Sequence, residues 1–170
     1  MNRLDSLPSK KILSLFMTCG FPNLSHSKKI FQEILSHQPD IIEFGLPFSD
    51  PMADGPVIQE SSKMALKAKI TTKQSLSLIK QLRKESNQTS FVIMCYLNTV
   101  QKYGVKKFIS DIKGVVDGII LVDLPFEEEN ETKKLLDKSR IKYKELEDPN
   151  SAGESFIVFD VNESINELRT

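Results

Sequence analysis

The sequence is poor in the residues that most often carry chemistry at neutral pH: two histidines and two cysteines in 170 residues. His26 and His37 border a predicted helix, away from the strand ends where parallel folds gather their function, and read as surface residues. Cys19 and Cys95 sit in strand-like apolar contexts. They read as buried, reduced thiols rather than as a disulfide or a metal pair. There is no Walker loop, no GxGxxG, no HExxH and no Cys-His cluster, so no metal is expected. A basic excess is missing too. Lys plus Arg number 23 and Asp plus Glu 23, a net charge of zero, which argues against a partner made of nucleic acid. No apolar run approaches membrane-spanning length, so no membrane association is expected. The polar start, MNRLDSLPSKK, has no apolar signal-peptide core. What remains is the expectation of a cytoplasmic globular chain long enough for one domain with a real core.

The pattern that is present is strand, helix, strand, helix. Ile12 to Met17 is a short apolar run that leaves through Thr18-Cys19-Gly20. A helix follows from about Ser25 to Ser36, with Ile30, Phe31, Ile34 and Leu35 on one stripe. Ile41 to Phe44 reads as a second strand, and Gly45 to Pro56 as a long loop rich in Gly, Pro and Asp. Thr71 and Gln74 have capping-box spacing ahead of Leu76, Ile79 and Leu82. Phe91 to Tyr96 is the third strand. Val105, Phe108, Ile109 and Ile112 mark the third helix, with Gly114 as its stop. Gly118 to Val122 is the fourth strand, leading into Asp123-Leu124-Pro125. A fourth helix begins with Glu127 to Glu129 and carries Lys133 and Lys134 later, as the helix dipole favours. Apolar strands alternating with amphipathic helices predict right-handed βαβ units and a parallel sheet. The expected organisation is residues 1–143 as this α/β part and 144–170 as a tail of different character. In the tail, Phe156 to Val161 is strand-like and Asn162 to Leu168 helix-like.

Function in such folds gathers at the carboxyl ends of strands. Glu43 lies inside the second strand, between Ile42 and Phe44. Burial of a carboxylate is costly and raises its pKa, which suits a proton shuttle. Pairing with a lysine or an edge position facing solvent would explain it as well, and from position alone is the better account. The loop that follows is stiffened by three prolines and could hold a second carboxylate, Asp54 or Asp50, opposite the first. Turn chemistry is the simpler account of each. Tyr96 could donate into a pocket or cap the core. Asp123 could serve the site or cap the next helix.

One string narrows these choices. Glu43-Phe44-Gly45-Leu46-Pro47-Phe48-Ser49-Asp50-Pro51-Met52-Ala53-Asp54-Gly55-Pro56-Val57-Ile58-Gln59 closely resembles the signature segment of tryptophan synthase α-subunits. The flanking segments agree in order and spacing: Phe16-Met17-Thr18-Cys19-Gly20-Phe21-Pro22, Met94-Cys95-Tyr96-Leu97-Asn98 with Tyr103-Gly104, and Asp117-Gly118 through Leu121-Val122-Asp123-Leu124-Pro125. The resemblance covers about residues 8 to 140. It implies a (β/α)₈ TIM barrel, of which this chain carries about the first four βα units and an atypical tail. It also implies retro-aldol cleavage of indole-3-glycerol phosphate to indole and glyceraldehyde 3-phosphate, in tryptophan biosynthesis. The family's indole passes through a tunnel to a β-subunit that uses pyridoxal phosphate, in a heterotetramer. No cofactor is implied for the α-type chain itself. Glu43 matches the family's acid–base and Asp54 the carboxylate that accepts from the indole N–H. Phe16, Met94 and Tyr96 match positions lining the indole pocket, with Asp123 a further candidate beside them. Pro47 and Asp50 match a loop that faces the β-subunit.

The chain also departs from the pattern. A complete barrel takes about 250 residues, and beyond about Ile141 the resemblance fades. Glu147-Asp148-Pro149-Asn150-Ser151 is acidic where a fifth strand would be finishing. The family's glycine-rich phosphate loops and its mobile loop after the sixth strand are not found. The expectation is a barrel that does not close, with strand edges and inner faces uncovered. Two functions therefore compete: an α-type lyase, and a non-catalytic remnant or interaction protein that docks on a β-subunit-like partner. Another phosphosugar barrel enzyme is a weaker third reading, set aside by the Pro47 to Gln59 string.

Overall fold

The computed structural model describes residues 2–7, 12–52, 54–123, 131–139, 141–145 and 157–160. After a 3₁₀ turn at Arg3–Ser6, the chain alternates as expected: β1 Leu13–Thr18, α1 Leu24–Ser36, β2 Ile41–Gly45, α2 Pro56–Lys67, α3 Thr72–Arg83, β3 Ser90–Cys95, α4 Leu97–Tyr103, α5 Val105–Ile112, β4 Gly118–Leu121, α6 Glu131–Ser139, β5 Lys142–Glu145 and β6 Ile157–Asp160. The strands form one parallel sheet in the order β5-β4-β3-β2-β1-β6.

The capping box is formed, with Thr71 accepting from the Gln74 N–H and Gln74 reaching back to the Thr71 N–H. Gly114, at φ +74°, follows the end of α5 as the sequence suggests. Two helices escape the periodicity argument. In α2 the buried residues are Ser61, Ser62 and Ala65, so its packing stripe is made of small side chains rather than apolar ones. Its start at Pro56, directly after Gly55, is a favoured first-turn placement. The other, α4, is only two turns long. A fifth strand is present where the sequence analysis expected none. Lys142–Glu145 pairs parallel with β4, from Gly118↔Lys142 to Leu121↔Glu145. Its Lys-Tyr-Lys-Glu pattern lacks an apolar run, and the backbone ladder is what identifies it. The strand expected at Phe156 to Val161 appears as β6, paired with β1. The helix-like segment Asn162 to Leu168 and the acidic start at Glu127 to Glu129 lie outside the described residues.

Strand alternation sorts the side chains into two faces. Met17, Ile42, Phe44, Phe91, Ile93, Ile119 and Leu121 face the helices, packing with Phe31, Leu35, Ile79, Leu82, Phe108 and Ile112 in one core. Phe44 joins two aromatic contacts there, at 4.7 Å to Phe31 and 4.9 Å to Phe91. Both cysteines are free and buried, and burial pushes both thiols well above their ordinary range. The opposite face carries Ser14, Phe16, Thr18, Glu43, Val92, Met94 and Ile120 at alternating register positions.

The amino ends of the strands are locked by a buried ion-pair network. Arg83 donates to the carbonyls of Val115 (2.8 Å), Ser86 and Thr89 (3.0 Å each) and to Asp117 Oδ2 (2.9 Å), with its guanidinium 3.5 Å from the Phe91 ring centre. Burial lowers the Arg83 pKa to about 10, with Asp117 opposing the shift. Asp117 also accepts from the Phe91 N–H and from Arg3, so the 3₁₀ turn is tied beneath β3 and β4. In barrel folds this end serves stability, and the opposite end carries chemistry.

Candidate functional site

At the carboxyl ends of the strands, the backbone ladder continues into the loops. Cys19 N–H donates to the Gly45 carbonyl (2.8 Å) and Leu46 N–H to the Met94 carbonyl (2.9 Å). The loop after β2 is then folded on itself. Asp54 N–H donates to the Pro51 carbonyl (3.0 Å), and Gln59 Nε2, from the first turn of α2, donates to the Asp54 carbonyl (2.9 Å). The hydroxyls of Thr18 and Ser61 meet at 2.6 Å, holding α2 to the end of β1. The small buried stripe of α2 is what permits this close approach.

This scaffold brings several of the expected residues together. Phe16, Thr18, Gly45, Asp54, Met94 and Tyr96 line one small cavity, completed by Leu46, Ile58, Ser62, Cys95 and Val122. Its volume is about 10 Å³, room for roughly one water. An aromatic ligand would need these side chains to rearrange. The Tyr96 hydroxyl donates to Asp54 Oδ2 at 3.1 Å, and Phe48 stacks on the Tyr96 ring at 4.5 Å. Glu43 lies one layer deeper, in register with Phe16 on one side and Val92 on the other. It is half-buried, and burial raises its carboxyl pKa, opposed by a hydrogen bond from the Ser14 hydroxyl to Oε1 at 2.6 Å.

The remaining candidates lie around this centre. Asp123 is exposed, and its Oδ1 accepts the N–H of Leu97 at the first position of α4. It thus caps the helix before it in sequence, and the helix dipole favours that placement. Pro47 is half-buried in a separate groove of about 350 Å³, with Phe48, Thr71, Thr72, Lys102 and Tyr103. Asp50 is exposed next to Pro51 and Met52, and Met52 is 83% exposed. His26 and His37 are both exposed. Among the described residues no group of three His, Cys, Asp or Glu could hold a metal ion, and no helix is long and apolar enough to cross a membrane.

Sequence reasoning passed over Ser14, Phe48, Gln59 and Ser61. Ser14 left one trace: it is a polar residue in an apolar strand, two positions before Phe16 and so on the same face.

Gly45 has a definite steric role. A β-carbon there would stand 2.6 Å from Phe16 Cζ and 2.9 Å from Cε2. The Phe16 ring is 3% exposed and has little room to yield. Gly45→Ala is therefore expected to cost about 1–3 kcal/mol through overpacking. A urea midpoint equal to that of the parent chain would refute this.

Comparison with known proteins agrees over most of the chain. A family model described as "Tryptophan synthase alpha chain" matches residues 5–159. A tryptophan synthase alpha chain of Geotalea uraniireducens is 43% identical over 131 residues, covering 76% of this chain and 49% of the relative. One from Flavobacterium psychrophilum is 43% identical over 128 residues, covering 74% and 50%. The chain thus spans about half the length of the curated relatives it matches. Among solved structures, tryptophan synthase subunit alpha from Legionella pneumophila superposes with a TM-score of 0.78 at 35% identity, covering 84% of this chain and 57% of that one. A chain of the Pyrococcus furiosus tryptophan synthase complex superposes with a TM-score of 0.74, also at 35% identity, covering 82% and 57%. The described sheet corresponds to about the first half of that TIM barrel.

Proposed function

The chain belongs to the tryptophan synthase alpha chain family, and on that premise we propose that it is an α-type lyase that cleaves indole-3-glycerol phosphate to indole and glyceraldehyde 3-phosphate. The observation that supports the reading is that two carboxylates in unlike settings lie on successive levels around Phe16, Glu43 within β2 in register with it and Asp54 on the loop above, lining the cavity that Phe16 shares. Glu43 is half-buried on the inner face with its pKa raised by burial. Asp54 stands on the loop above it, receiving a hydrogen bond from Tyr96. Two carboxyl groups in different environments can hold different protonation states, which acid–base chemistry on one substrate requires.

In this reading the protonated Glu43 gives its proton to the ring carbon that bears the glycerol chain. Asp54 accepts from the indole N–H and stabilises the positive charge that spreads over the ring. The hydroxyl proton beside the breaking carbon–carbon bond then passes to the Glu43 carboxylate. The bond's electron pair returns to the ring, indole leaves, and the aldehyde forms with Glu43 protonated again. Phe16, Met94 and Tyr96 supply the apolar walls. Asp123 acts one step removed, by fixing the start of α4 behind Tyr96. The chain's own residues supply this chemistry without a cofactor. Pyridoxal phosphate belongs, in this reading, to a tryptophan synthase β-subunit that docks on Pro47 and Asp50. The setting is the cytoplasm.

Exposed Met52, beside Asp50, favours a second reading: a non-catalytic protein that keeps this docking loop. Indole release from indole-3-glycerol phosphate separates the two, measured on the purified chain with and without a β-subunit and with Glu43→Gln as control. Release that disappears in the variant supports the lyase. No release in either condition, from a folded and monodisperse sample, overturns it in favour of docking alone.

A further inference from the structure

We propose that Ser14 is a positioning residue for Glu43, holding its carboxyl group in one orientation on the inner face of the sheet. The inference rests on the lyase reading for its catalytic consequence, but the contact itself is independent of it. Ser14 is the polar member of Leu13-Ser14-Leu15-Phe16-Met17 and is 1% exposed. A hydroxyl buried in such a strand is costly unless it finds an acceptor. Its acceptor is Glu43 Oε1 at 2.6 Å, within the range of short bonds to a charged oxygen. Register explains the meeting. Ser14 pairs with Ile41 and Phe16 with Glu43, so Ser14 and Glu43 are diagonal neighbours on one face.

Among the described residues Ser14 is the donor that Glu43 has. The inner-face neighbours Phe16 and Thr18 of β1, Val92 and Met94 of β3, and Ile120 of β4 do not titrate. Asp54 and Tyr96 stand above at the strand ends, where the Tyr96 hydroxyl donates to Asp54. Asp160 of β6 and Lys144 of β5 hold register with Phe16 and Ile120. Two opposed effects therefore meet at the Glu43 carboxyl: burial favours its neutral form, and the Ser14 hydroxyl favours the ionised one.

Removing the hydroxyl should let the carboxyl swing and hold its proton more tightly. In Ser14→Ala, ¹³C NMR of the labelled Glu43 carboxyl is expected to show a higher titration midpoint than in the parent chain. Indole release should fall about tenfold in kcat with KM little changed, since small misplacements of a catalytic group are costly in rate. The alkaline limb of its pH profile should move up in step with the NMR midpoint, because the proton donor is the active form. Ser14→Thr, which keeps the hydroxyl on a strand-compatible side chain, should restore all three readouts, and Ser14→Val should not. An unchanged Glu43 midpoint in Ser14→Ala, or full recovery in Ser14→Val, overturns the inference. Indole release that survives Glu43→Gln instead overturns the lyase reading and the catalytic role of Ser14 with it, whatever the NMR midpoint shows. The two failures are thus distinguishable.

Discussion

Glu43→Gln is expected to lower indole release by about 10²–10⁴-fold, the contribution typical of a positioned acid–base group. Glutamine keeps the shape of glutamate and can still accept from Ser14 through its amide oxygen, so the strand and its neighbours should be undisturbed. It cannot give up a proton to the ring carbon or take one from the hydroxyl. The loss should therefore fall on kcat, with KM changed little. Retention of activity within a few-fold of the parent would remove Glu43 from the reaction.

The same variant should be more stable than the parent at neutral pH. Burial raises the Glu43 pKa in the folded chain above its unfolded value. Between those two values the folded state binds the extra proton, so stability declines as pH rises through that window. Above the window the ionised carboxylate is held in a poorly solvated place, a cost that glutamine does not carry. Urea midpoints of the two proteins should diverge at neutral pH and converge as pH falls below the unfolded value. A parent chain that is the more stable at neutral pH would contradict the burial argument.

Asp117→Ala should have the largest effect on the fold, a loss of about 3–5 kcal/mol. Asp117 is 4% exposed and Arg83 8% exposed, so deleting the carboxylate strands a guanidinium with little access to water. The Phe91 N–H and Arg3 lose their acceptor in the same step. Whole domains are typically stable by only about 5–15 kcal/mol, so the variant should unfold at much lower urea. Removing Arg83 as well, in Asp117→Ala with Arg83→Met, should recover part of the loss, because the uncompensated charge is then gone. A single variant within about 1 kcal/mol of the parent would show that this network contributes little. Because the lock sits at the amino ends of the strands, a folded Asp117→Asn variant should keep the carboxyl-end site intact.

Much of this arrangement is local and therefore legible in the chain. The apolar stripes of α1, α3 and α5 and the continuous runs of β1 to β4 follow from backbone periodicity alone. The Thr71 capping box and the stop at Gly114 follow from residue type at a fixed position. The unusual Glu43 to Gln59 segment carries both candidate carboxylates and pointed to the family before any coordinate. The elements that escaped are those whose signal is not apolar periodicity. In α2 the helix docks through Ser61, Ser62 and Ala65, and β5 is recognised by its ladder to β4 rather than by its Lys-Tyr-Lys-Glu composition.

By itself, then, the sequence determined the alternation of β1 to β4 with α1, α3 and α5, the parallel sheet they build and, through its family resemblance, which two carboxylates to propose as the acid–base pair. Tertiary structure decided which side chains meet. Tyr96 finds Asp54 across 42 positions of sequence, Ser14 finds Glu43 across 29, and Asp123 reaches back 26 to cap α4. These contacts depend on the register between strands and on the path of each crossover. Residue type and spacing set the conformation of a segment, whereas register and crossover are settled only when distant segments pack together.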